Sequence, residues 1–171
     1  MLKHTSMPSI GTSIRKRVTR ARRRREREAG QRTPMRDSRA FRFDASLRIA
    51  GVGEQHDRIS IETGLTPWRV HRAGDRRSPR SPSLGVWPED YWELRSPIGE
   101  SATLEEHLAW LWSAVEPHKP YFARLITHAA WADVCLGCLS ESVYPLFTVG
   151  AASLDITRER NLGLSFNFTC I

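Results

Sequence analysis

Apolar and polar positions alternate along this chain in two distinct periods. From Phe41 onward, Phe43, Ala45, Leu47 and Ile49 are interleaved with Arg42, Asp44, Ser46 and Arg48. A period of two describes a strand with one buried face. Gly51 and Gly53 end it. Residues 54–63 read as a short helix supported by Ile59, Ile61 and Leu65, with Gly64 as its stop and Pro67 just beyond. Residues 86–95, with Trp87, Tyr91, Trp92 and Leu94, read as a second strand whose start Pro88 confines to an edge or a bulge. A turn over 96–101 follows.

Thr103 and Glu106 form a capping box, so a helix opens there, and Leu104, Leu108, Leu111 and Val115 fall on one stripe of it. Pro117 and Pro120 interrupt that helix, and 121–128 reads as a second, short helix in a new direction. Residues 130–139 form a third strand with Ala130, Ala132, Val134, Leu136 and Cys138 on one face. A short helix fits 153–160. At the end Leu162, Leu164, Phe166, Phe168 and Cys170 alternate with Gly163, Ser165, Asn167 and Thr169. Strands with one apolar face call for helices on one side and solvent on the other. The expected fold class is α+β, a two-layer sandwich. Its sheet is four-stranded and mostly antiparallel, with two or three helices on one face. A ferredoxin-like arrangement is one topology that suits; the strand order is not legible.

Charge divides the chain at about residue 41. Residues 1–42 hold 14 Lys+Arg against 3 acids, whereas 43–171 hold 12 against 16. The pI of about 10.0 therefore belongs to the leader and not to the body. Residues 1–40 have few large apolar side chains and a self-repelling block, Arg22, Arg23, Arg24 and Arg25. Such a segment cannot offset its ordering entropy and is expected to be a disordered tail ahead of a single globular domain at 41–171. Met35, or Met7, is an alternative start. No apolar run reaches secretory or membrane-spanning length, and three cysteines suggest a reducing, cytoplasmic setting.

The stretch 64–81, GLTPWRVHRAGDRRSPRS, is the most distinctive polar segment. It reads as a loop presented by the scaffold, with Trp68, Arg69, His71, Arg72, Asp75, Arg76 and Arg77 as candidate binding residues. Guanidinium groups beside tryptophan suit bidentate contact with a carboxylate or phosphate and stacking on a planar group. Trp87 and Trp92 are candidates for the same neighbourhood. Asp75, Glu62 and Asp57 are the acids that would neutralise part of the cluster. Cys135 and Cys138 form a C-x-x-C, but residues three apart on a regular strand face opposite ways, so the thiols meet only if Gly137 makes a bulge. No metal and no cofactor is expected. The remaining histidines do not cluster: His56 opens a short helix, His107 edges the helix stripe, and His118 and His128 sit at helix ends.

The strand ASLRIAG (45–51), the run GLTPWRVHRAGD (64–75), the strand YWEL (91–94) and LEEHLAWLW (104–112) together resemble an uncharacterised bacterial family catalogued as domain of unknown function 4279. The resemblance covers about 41–171, with 141–161 a poor match. It implies the fold class and an independent tail, and brings no catalytic residues.

Three functions follow as expectations. The first is a small non-enzymatic binding protein that uses loop 66–82 and the adjoining sheet to grip an acidic protein or an anionic ligand, like toxin-neutralising immunity proteins by analogy of fold alone. The second is nonspecific nucleic-acid association through the basic tail at 15–27, carried by Arg15, Lys16, Arg17, Arg20, Arg22, Arg23, Arg24 and Arg25. The third is an enzyme using His71 and Asp75.

Overall fold

The structure, a computed structural model, describes residues 41–141 and 147–171. The tail at 1–40, with its nucleic-acid candidates, lies outside the described residues. The elements are β1 (Phe41–Ala50), α1 (Arg58–Thr63), β2 (Arg69–His71), β3 (Tyr91–Arg95), α2 (Leu104–Val115), α3 (Lys119–His128), β4 (Trp131–Ser140), α4 (Ala151–Glu159) and β5 (Gly163–Cys170). Short 3-10 turns occupy Gly53–Gln55, Pro82–Leu84 and Glu116–His118.

The sheet runs β2-β3-β1-β4-β5, antiparallel throughout except for the parallel pair β4–β5. Its first four strands make two split βαβ units: β3 lies between β1 and β2, and β1 lies between β3 and β4. That is the ferredoxin-like arrangement. A parallel neighbour needs a crossover, and α4 supplies it between β4 and β5. The two-layer α+β architecture holds, with five strands rather than four. The added strand is β2, three residues inside the stretch read as a loop and too short to display a period.

Alternation along the central strands sends Ala45, Leu47, Ile49, Trp92, Leu94, Val134 and Leu136 to one face, where Ile59 of α1, Leu108 and Leu111 of α2 and Phe122 and Leu125 of α3 complete the core. The capping box is present: the Thr103 hydroxyl oxygen accepts the Glu106 N–H, and the Glu106 carboxylate accepts the Thr103 N–H at 2.7 Å. Gly64, at φ +68°, closes α1 as its spacing predicts. Glu105 ties α4 to α2 by accepting the Ser153 hydroxyl at 2.6 Å and the Gly150 N–H.

Three boundaries and the burial of one strand differ from the periodic reading. The helix of 54–63 splits into the Gly53–Gln55 turn and α1. Pro120 stands in the first turn of α3, where a missing N–H costs nothing, so it starts that helix instead of interrupting one. The strand of 86–95 begins only at Tyr91, because Asp90 turns its carboxylate to the Val52 and Gly53 N–H groups at 2.9 and 2.7 Å. The alternating end strand forms, but Phe166 and Phe168 stay 48% and 52% exposed. β5 is an edge strand, and these rings meet Phe147 at 6.2 and 5.4 Å.

Candidate functional site

The face of the sheet away from the helices carries the chemistry. Cross-strand pairing sets His71, Tyr91, Ala50 and Trp131 in one row across β2, β3, β1 and β4. Because side chains alternate, Trp92 and Leu94 enter the core while Tyr91, Glu93 and Arg95 face outward. The arginine-rich segment then folds back as an arm. Gly74 N–H donates to Trp87 O at 2.8 Å, Trp87 N–H to Asp75 O at 2.9 Å and Arg77 N–H to Gly85 O at 3.1 Å. Arg76 and Val86 form a bridge between those rungs.

This arm lays Trp87 against His71. The two rings are 4.0 Å apart at 22°, and His71 stacks in turn on Tyr91 at 5.0 Å and 9°. The Arg69 guanidinium stands 5.1 Å from the Trp87 ring and 5.8 Å from Tyr91, and that of Arg77 stands 4.9 Å from Trp87. Guanidinium over an aromatic face is a favourable cation–π arrangement. On the β4 side Trp131 lies 6.1 Å from Tyr91 and donates its Nε1–H to Glu89 at 3.2 Å. Between the two sides is a cleft of about 370 Å³ lined by Ala50, Arg69, His71, Arg77, Trp87, Tyr91 and Trp131 among others.

The charges around this cleft are unequally satisfied. Asp90 holds two backbone N–H groups, Glu93 accepts the Tyr91 hydroxyl at 2.8 Å, and Glu89 accepts Trp131. Asp133 takes both of its hydrogen bonds from Arg48, at 2.8 and 2.6 Å, and Arg48 also reaches the Ser165 hydroxyl. Those bonds hold the Arg48 pKa above the usual range. Among the described residues neither Arg69 nor Arg77 has a carboxylate within ion-pair distance; Arg77 donates Nε–H to Val86 O at 3.1 Å. Burial, and then the Arg69 cation, pull the His71 pKa below its ordinary value, so the stacked imidazole is neutral near pH 7. Burial, then the bond to Glu93, pushes the Tyr91 phenol up.

Of the seven residues predicted from sequence, Arg69, His71 and Arg77 come together here. Trp68 stands apart beneath the Arg95 guanidinium, 5.2 Å away, and Arg95 is itself paired with Asp44 at 2.7 Å. Arg72 is paired with Asp57, and Asp75 shapes the turn by accepting the Arg72 N–H at 2.7 Å. Arg76 contributes its backbone to the arm. Of the acids expected to neutralise the arginines, Asp57 does so for Arg72, whereas Glu62 pairs with Arg58. Trp92 is not a neighbour of the cluster. It is fully buried on the helix side, with Nε1–H donated to Ser60 at 3.2 Å. Tyr91, Trp131 and Arg48 are absent from the residues expected from sequence; with Trp92 in the core, alternation puts Tyr91 outward, but nothing local brings β4 beside β1.

The other candidates sit elsewhere. Register is unbroken through Gly137, with Cys135 opposite Ser46 and Cys138 opposite Phe43, so the two thiols face opposite sides of the sheet. His107 is buried, Nδ1 3.1 Å from the Ser96 hydroxyl, and His56 is buried with Nε2 3.1 Å from Tyr91 O.

Compared with known proteins, residues 39–170 match the family model described as Domain of unknown function (DUF4279). No curated protein and no solved structure matches the chain.

Proposed function

We propose, from the premise that this chain belongs to the family described as Domain of unknown function (DUF4279), that it is a non-enzymatic binding module. Its open sheet face grips an anionic group, presented by a small ligand or by an acidic partner protein. The observation that carries the reading is the pair Arg69 and Arg77. Both stand over Trp87 with no carboxylate partner among the described residues, while Asp90, Glu93 and Glu89 are each engaged within the fold. Guanidinium forks held over a ring lose little freedom when an oxyanion arrives. The setting proposed is cytoplasmic, in keeping with cysteines at 135 and 138 that face apart.

The test is calorimetric titration of the full chain with inorganic phosphate and with a glutamate-rich peptide. A background variant has Arg15, Lys16, Arg17, Arg20, Arg22, Arg23, Arg24 and Arg25 replaced by serine, which removes the eight tail cations assigned to nonspecific binding. Saturable binding of either probe, weakened about tenfold or more by Arg69→Ala with Arg77→Ala at unchanged melting temperature, is the expected result. Equal binding by that double variant removes the cleft from the function.

A further inference from the structure

We infer that the anion taken by this cleft is joined to a planar aromatic ring, and that the ligand class is a nucleoside monophosphate; the inference rests on the anion-binding reading above. Three observations point there. The cleft's cations without a carboxylate partner among the described residues are set among rings: Arg69 and Arg77 each lie over Trp87, and Trp87, His71 and Tyr91 form a near-parallel stack. An oxyanion alone has no use for such a wall, whereas a base joined to a phosphate uses both parts.

The row itself limits where the base can lie. The Trp87–His71–Tyr91 stack is closed at 4.0 and 5.0 Å, so no ring enters it. Beyond Tyr91 the next position is Ala50, the smallest side chain of the row and only 1% exposed, and then Trp131, which is 40% exposed and so is the ring a base can reach. A base lies against the face of Trp131 that the Arg48 guanidinium, 5.6 Å from that ring, leaves uncovered, with its phosphate toward Arg69 and Arg77. Glu89 gives one carboxylate oxygen to Trp131 and keeps the other for an amino or ring N–H donor on the base.

Charge and size then decide against a longer nucleic acid. The cleft of about 370 Å³ lies in the lower part of the range for small-molecule sites. Elsewhere on the same face Arg48 is committed to Asp133 and Arg95 to Asp44. Residues 43–171 hold 16 acids against 12 Lys+Arg. A polyanion needs a track of uncommitted cations, whereas among the described residues the cleft is lined by two, Arg69 and Arg77.

The experiment is calorimetry on the full chain carrying the eight serine replacements in its tail. The probes are the four common nucleoside 5′-monophosphates, their nucleosides, ribose 5-phosphate and a 20-nucleotide single strand. At least one nucleotide is expected to bind about tenfold or more tightly than ribose 5-phosphate and than its own nucleoside. Trp131→Leu, which keeps apolar cover but no flat face, is expected to erase the advantage over ribose 5-phosphate without weakening the sugar phosphate. Arg69→Ala with Arg77→Ala weakens both.

If ribose 5-phosphate binds as tightly as every nucleotide, the ring inference is overturned and the anion reading stands. If a nucleoside matches its nucleotide, the phosphate is unused and the inference falls. A single strand bound more tightly than any nucleotide, and released by Trp131→Leu, overturns the small-ligand class. No binding of any phosphate probe, with inorganic phosphate also failing, removes both readings together.

Discussion

His71 illustrates how one side chain reports on its surroundings. Its ring is held between Trp87 and Tyr91, and burial, followed by the Arg69 cation, depresses its pKa against smaller opposing pulls from Asp75 and Asp90, with His56 acting in the same sense as Arg69. An anion seated at Arg69 cancels part of that cation's field and raises the His71 pKa in the complex. Binding then takes up a proton, so the affinity for the glutamate-rich peptide, whose carboxylates stay ionised in this range, is expected to rise as pH is lowered from 7 toward 6. His71→Gln is expected to flatten that profile, as read by calorimetry at several pH values. Stability moves the other way. Burial also lowers the pKa of His107, so the unfolded chain binds protons more readily than the folded one. Its contribution is complete above the unfolded value of about 6.5 and declines as pH falls through it, levelling below the folded value. Melting temperatures at pH 7 and 5 check the sign. Gly51 is constrained differently: at φ +68° an added Cβ would stand 2.4 Å from the Ala130 Cβ. Gly51→Ala is expected to cost about 1–3 kcal/mol in urea unfolding, from backbone strain and overpacking together. At this scale residue type was legible and neighbourhood was not. Arginine and histidine in a polar stretch announced Arg69, His71 and Arg77, whereas Trp131 joins them only because β4 pairs with β1.

Elements differ in how much of their energy is local. α2 was readable to its first residue because Thr103 and Glu106 satisfy each other's backbone N–H groups within one turn. Thr103→Ala is expected to lower stability by about 1 kcal/mol in urea unfolding. β2 was unreadable, since three residues with one valine present no period, and its hydrogen bonds come from β3. Pro88 correctly signalled trouble at the start of β3, but the strand's late beginning depends on Asp90 capping the turn after β1. Arg48 acts between elements, binding Asp133 of β4 and Ser165 of β5 from β1. Arg48→Met leaves Asp133, whose side chain is 15% exposed, without its partner. The expected loss is about 1–3 kcal/mol in urea unfolding, with β5 the first strand to lose amide protection in hydrogen exchange.

For the molecule as a whole, the helix layer and the sheet share one core, and Leu111, with no exposed surface, lies within it. Leu111→Ala is expected to cost about 2–5 kcal/mol in urea unfolding. Charge separates the leader from the body just as sharply. Nonspecific DNA retention that falls steeply with salt, and disappears when Arg15, Lys16, Arg17, Arg20, Arg22, Arg23, Arg24 and Arg25 become serine, would assign that activity to the leader and leave anion binding in the cleft unchanged. The spacing of apolar residues, the caps and the charge census were sufficient for the strands of period two, the helices, the α+β class and the uneven charge, because each rests on interactions within a few residues or on composition. Only the tertiary structure decided the order β2-β3-β1-β4-β5, and with it the row His71, Tyr91, Ala50 and Trp131. Strand neighbours are selected by which faces bury one another and by how the crossovers close, and those energies exist only between segments far apart in the chain.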